Sequence, residues 1–206
     1  MLKIIKRKII SWIKNNVINE RLDAFNNPYR INFKENSAII APLELNGAHN
    51  VFLGANTMIE KGAWLAAFSS YQKQSFQPKI SIGENVHIGH YACITAISRI
   101  NIGDNCLISE YVYISDHFHG LDPMSAIVPA QQELGSKGNI NIGERTFLGY
   151  RVSILSGVTL GKNCVVGAHS VVTKSFPDNC MIAGAPAKLI KKYCTKEEKW
   201  LSVNYG

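Results

Sequence analysis

The chain is predicted to fold as an all-β solenoid, a parallel β-helix wound from six-residue repeats. Three observations predict it. Ile142, Leu148, Ile154, Leu160, Val166 and Val172 stand six apart without a break. Shorter runs keep the same step: Ile82, Ile88, Ile94 and Ile100; Ile102, Ile108 and Ile114; Leu53, Ile59 and Leu65. Turn-tolerant residues recur beside them, as in Gly103-Asp104-Asn105 and Gly161-Lys162-Asn163. A helix returns an apolar residue every 3.6 places and a two-sided strand every second place, so neither accounts for this spacing. A fixed short period instead marks stacked hexapeptides. A β-sandwich with regular turns fits less well, because its strands do not hold one phase over so many residues. Each hexapeptide forms one short strand and a corner, and three make a coil of about eighteen residues. Glycine is expected to supply positive φ at the corners, with Asn and Asp tolerating the same region.

The elements follow in order. Residues 1–20 have a helical pattern. Leu2, Ile5, Ile9 and Trp12 or Ile13 lie on one face, opposite Lys3, Arg7 and Lys14, while Ile4 and Ile10 blur it. This basic amphipathic helix suits packing on the solenoid or on a neighbouring subunit, and it also suits an anionic bilayer. It has neither the apolar length of a transmembrane span nor a cleavage site, so no signal peptide is expected. A polar connection ends the first segment, residues 1–36. The β-helix is expected over 37–175, with the ruler interrupted near 69–79 and again over 116–139. The step from Ile94 to Ile102 shifts the phase by two residues, which implies a bulge or a longer corner. Residues 176–206 form a C-terminal extension that leaves the solenoid and ends in a short helix around 196–201.

The 206 residues carry a net charge of +7. The basic residues cluster at the two ends, from Lys3 to Lys14 and from Lys188 to Lys199, with no aromatic-interleaved basic stripe between them. That distribution argues against nucleic acid and for a phosphorylated cofactor or an anionic membrane surface. Five cysteines form no CxxC pair, and the odd count excludes a complete disulfide framework. Cys106 and Cys164 follow corner motifs and read as small core residues. A reducing compartment is expected.

A solenoid is scaffold, so chemistry is expected where the ruler breaks. The segment DHFHGLDPMSAIVPAQQELGSKGN holds His117 and His119, flanked by Asp116 and Asp122. Long irregular loops in compact domains are commonly functional, and histidine is suited to taking a proton near neutral pH. Solvated, inert loop histidines are the plainer reading. A zinc site gathering His87, His90, His117 and His119 also stays open, although neither spacing specifies one.

The runs INIGDNCLIS…YISDHFHGLDP and NINIGERTFLGYRVSILSGVTLGKNCVVGAHSVVTKSFPDNCMIAGAPAKLIKK cover roughly residues 80–192. They resemble the hexapeptide-repeat acyltransferases, in particular the maltose, galactoside and nodulation-factor O-acetyltransferases and their polysaccharide-modifying relatives. The resemblance implies a left-handed coil and a homotrimer with sites between prisms; the cysteine usage suits a cytoplasmic enzyme, and the basic helix offers contact at the inner membrane face. It implies acetyl transfer from acetyl-CoA to a saccharide hydroxyl, with a loop histidine as general base. His119, in His119-Gly120-Leu121-Asp122-Pro123, takes the family's base position; His117 is the second candidate, binding the acceptor or holding the loop. The main chain at Tyr150 and Ala168 is implied to line the pantetheine groove. Thr173 and Lys174 stand at the last corner, and Lys188 and Lys191 near the cofactor phosphates. His90 and Asp122 are candidate acceptor-side residues. Phe147 replaces a frequent Trp and Tyr150 a small residue, while Gly89 stands where sugar acetyltransferases carry an acceptor-contacting Asn. An N-acetyltransferase on an amino sugar, a γ-carbonic-anhydrase-like metalloprotein and a non-catalytic scaffold remain alternatives.

Overall fold

Each aliphatic residue of the ruler sits on a rung of equivalents from the coils above and below. The computed structural model describes residues 32–203; the expected N-terminal amphipathic helix lies outside them. Three parallel sheets form the faces of a prism. Face A holds Val51–Leu53, Lys79–Ile82, Arg99–Ile102, Ile140–Ile142 and Thr159–Leu160. Face B begins with Ala38–Ile39, Met58–Ile59, His87–Ile88, Leu107–Ile108, Phe147–Leu148 and Val165–Val166. Face C holds Glu44–Asn46, Trp64–Ala67, Cys93–Ala96, Tyr113–Ser115, Ser153–Ile154 and Val171–Val172. The chain runs A to B to C and then repeats. Register is set by the apolar residue: Ile82 pairs with Ile102, Ile88 with Ile108, and Ile94 with Ile114. Ile88, Ile94, Ile108, Ile114 and Ile154 are wholly buried. Burying each contributes about 1.5–3 kcal/mol.

The corners correct one expectation. Between faces A and B the left-handed residue is Asn85, Asn105, Arg145 or Asn163, each with φ between 55° and 58°. The glycines two places earlier have a different task. A Cβ on Gly143 would lie 2.5 Å from the Gly161 carbonyl carbon, and one on Gly103 would lie 2.6 Å from Glu144 N. Stacked corners bring backbone onto backbone, and only hydrogen fits between them. Gly143→Ala is therefore expected to destabilise the fold by about 1–3 kcal/mol, measured by urea denaturation.

The two-residue phase shift resolves into Ile97 and Ser98, which lengthen one corner between faces C and A. The buried carboxylate of Asp116, from the next coil, accepts both of their backbone N–H groups at 2.9 and 2.8 Å.

The expected C-terminal helix is not formed. Cys180–Gly184 continues face B, turns back as Ala187–Cys194 and pairs again with Lys199–Ser202, both antiparallel. Tyr193 and Trp200 stand opposite each other, their rings 5.4 Å apart edge to face. Four residues between two strands are too few for a stable helix, whereas a cross-strand aromatic pair favours the hairpin.

Burial pushes the Cys93 thiol up to about 11 and also raises those of Cys106, Cys164 and Cys180. The unfolded chain releases these protons first, from about pH 8.5, so the folded state binds more protons above that point. The thiols' contribution to stability is full below about pH 8.5 and is lost as pH rises through the folded-state values. Denaturation midpoints are expected to fall between about pH 9 and 11, and less so once the four cysteines are replaced by alanine.

Candidate active site

The two breaks in the ruler leave from one edge of the prism, the corner from face C to face A. The first is a hairpin of Ser70–Tyr71 and Gln74–Ser75. The second is the segment 116–139, two coils further on. Their sequences give no sign that they meet, yet Gln74 clamps the longer loop from both sides. Its Nε2 donates to Leu134 O at 3.1 Å, and its Oε1 accepts from Leu134 N at 2.7 Å. The loop also closes on itself, with Phe118 and Gly135 exchanging backbone bonds of 2.9 Å. At its root, Ser136 and Ser156 both donate to Asp116 O, at 2.6 and 2.8 Å.

Together they roof a cavity of about 250 Å³ on face C. Trp64, Cys93 and Tyr113, in register on successive strands, form its floor, and Phe68, Phe118 and Leu134 contribute to the roof. His117 and His119 both line it. Its lining holds no Asp, Glu, Lys or Arg.

The two histidines differ. The His117 side chain is only 11% exposed, with Nδ1 3.1 Å from the wholly buried Asp116 carboxylate. Ser115 Oγ lies 3.4 Å from the same nitrogen, and Phe68 packs edge-on at 6.0 Å. His117 thus belongs to the cluster that ties the loop to the solenoid. His119 is exposed, with Nδ1 3.3 Å from the Tyr71 hydroxyl and the two rings 5.4 Å apart.

The remaining candidates fall elsewhere. The Asp122 carboxylate accepts the Met124 N–H at 2.9 Å, and the Asp122 backbone bonds Gln132, so this residue shapes the loop tip. The partners of the imidazoles are Asp116 and Ser115 for His117 and Tyr71 for His119. His90 lies on the opposite edge of face C, beside Tyr91. Tyr150 and Ala168 occupy that same far edge on successive coils, where His169 N donates to Tyr150 O at 2.8 Å. Thr173 and Lys174 return to the histidine edge, two coils beyond the loop. Lys188 and Lys191 stand on Ala187–Cys194, paired with Ala183 and Met181. Among the described residues no three His, Cys, Asp or Glu side chains gather as a metal site: His87 lies on face B and His90 on the far edge of face C, away from His117 and His119. Sequence reasoning missed Tyr71 and Trp64; an aromatic within the polar run SSYQKQ was the available signal for the first.

Cys93 is the one cysteine on the cavity wall, and its thiol is held neutral at pH 7. A thiol of this kind is a poor nucleophile. Cys93→Ala is expected to change any turnover by less than about threefold, and a larger loss would point to covalent catalysis through this thiol.

Two family models match the chain: the bacterial transferase hexapeptide (six repeats) over residues 139–174, and the hexapeptide repeat of succinyl-transferase over 79–115. The chain is 42% identical over 127 residues to WbbJ of Escherichia coli K12, a protein named for O-acetyl transfer in lipopolysaccharide biosynthesis. That match covers 59% of this chain and 64% of WbbJ, so the chain spans less than two thirds of this relative's length. It is 33% identical over 152 residues to C18B11.09c of Schizosaccharomyces pombe, which carries the name of an acetyltransferase, covering 68% of this chain and 72% of that one. Among solved structures it is similar to AntD, an N-acyltransferase from Bacillus cereus crystallised with dTDP and coenzyme A. The TM-score is 0.67 at 20% identity, covering 80% of this chain and 85% of AntD, a likeness of fold alone. The six-residue ruler, the coil-on-coil register and the length of the fission-yeast match lead to one assignment: the chain belongs to the hexapeptide-repeat acyltransferase family.

Proposed function

We propose that the protein is an acetyl-CoA-dependent O-acetyltransferase acting on a saccharide hydroxyl, in cell-surface polysaccharide biosynthesis. The observation that carries this reading is the uncharged aromatic cavity with two imidazoles on its wall, set on the scaffold of this family. His119 is the general base. It is the more exposed of the two, as an acceptor hydroxyl requires, whereas His117 is tied to Asp116. In the reaction the acceptor oxygen attacks the thioester carbonyl as His119 takes its proton. The C–S bond then breaks, and the proton passes to the CoA thiolate. Transfer is direct, in a ternary complex. Aromatic walls suit the apolar face of a sugar ring, and the WbbJ name points to the same class of acceptor.

The cofactor is assigned to the edge bearing Tyr150 and Ala168, with Lys188 and Lys191 towards its phosphates and Thr173 and Lys174 at the last corner of the coil. In one chain the Tyr150 edge lies across face C from the histidines. We infer a homotrimer in which one chain's loop meets its neighbour's cofactor edge, because face C separates the two edges within one chain. Among the described residues no helix is long and apolar enough to cross a membrane. We place the enzyme in the cytoplasm, where the basic segment 1–20 offers contact with an anionic inner face. The chemical test is the alkali lability of the product. An acetyl group released by mild base is an ester and supports the proposal; a base-stable amide would make the protein an amino-sugar N-acetyltransferase.

A further inference from the structure

We infer that Tyr71, on the short hairpin, is a positioning residue that fixes the tautomer of His119. The inference rests on the reading of His119 as the base, but its geometry stands independently. A tyrosine hydroxyl has one proton to give. Tyr71 gives it to the Ala130 carbonyl, which can only accept. Towards His119 Nδ1, 3.3 Å away, the same oxygen must therefore act as acceptor. Nδ1 then carries the ring proton, and Nε2 keeps its lone pair, the form a base needs. The edge-to-face ring contact at 5.4 Å restrains rotation of the imidazole. Gln72 also reaches the Ala130 carbonyl, at 3.4 Å, and Gln74 clamps Leu134, so the hairpin holds the segment through which Tyr71 is oriented. The hairpin thereby becomes part of the site rather than an accident of the repeat. A tyrosine also orients the ring without placing a carboxylate in the cavity.

The experiment compares the wild-type protein with Tyr71→Phe and Gln74→Ala. Selective ¹⁵N labelling of histidine reads the tautomer of His119 directly, with no substrate needed, and initial rates are measured with acetyl-CoA and a saccharide acceptor. The expected result is an Nδ1–H tautomer in the wild type and in Gln74→Ala, and a mixture with Nε2–H in Tyr71→Phe. In Tyr71→Phe kcat falls by about tenfold while both KM values stay within about twofold, since binding contacts remain and only the base is misarranged. An unchanged tautomer in Tyr71→Phe overturns the inference, whatever happens to the rate. The same tautomer shift in both variants also overturns it, because it would mean that the hairpin acts only as a brace. A tautomer that depends on Tyr71 in a protein with no transferase activity would leave the positioning intact and remove the proposed reaction instead.

Discussion

His119→Ala is expected to lower acceptor-dependent release of CoA by about 10²–10⁴-fold, the range typical of removing a general base. KM for acetyl-CoA should change little, because the residues assigned to the cofactor lie on the far edge of face C or on later coils. The fold should survive, since His119 is exposed and its one side-chain bond is to Tyr71. The comparison with His117→Ala makes the result specific. His117 packs against Asp116, Ser115 and Phe68, so its loss should loosen the loop root and lower the denaturation midpoint as well as the rate. If His117→Ala abolished turnover at full stability while His119→Ala kept it, the base would be the His117–Asp116 pair.

The second large effect concerns Asp116→Ala. Its carboxylate is wholly buried and accepts the Ile97 and Ser98 N–H groups from the preceding coil as well as facing His117 Nδ1. Removing it leaves the buried Ile97 N–H and the half-buried Ser98 N–H without partners, at a cost of about 3–5 kcal/mol, and unties the root of the loop at the same stroke. Asp116→Asn should be nearly as damaging. One oxygen becomes an NH2 group that meets an N–H donor, so at most one of the two bonds survives. Urea denaturation checks the stability, and hydrogen exchange at Ile97 and Ser98 checks the local claim. Wild-type protection there in Asp116→Ala would show that the lengthened corner holds itself.

Much of the fold was legible because one physical rule generates it. An aliphatic residue every sixth place forces a rung on every coil, and Ile88, Ile108 and Leu148 stack as their spacing requires. The corner glycines were seen for an incomplete reason. The left-handed residue is Asn or Arg two places later, and close approach between coils, invisible in a single strand of text, is what excludes a side chain. The C-terminal segment misled because a charged stretch reads as helix, while the Tyr193–Trp200 pair that holds the hairpin is a contact across strands. At the site, the histidines were legible as chemistry in a break of the ruler. Tyr71 was not, because its importance comes from two excursions meeting over one edge, and only the stacking of coils places residues 71 and 119 side by side.

The most direct test of the central claim is CoA release from acetyl-CoA by the wild-type protein across a panel of sugars and polysaccharide fragments, with acetyl on the product counted in parallel. The account predicts acceptor-dependent release matched one for one by alkali-labile acetyl on the saccharide. CoA release without acetyl on any acceptor, or transfer that persists unchanged in His119→Ala, would contradict it.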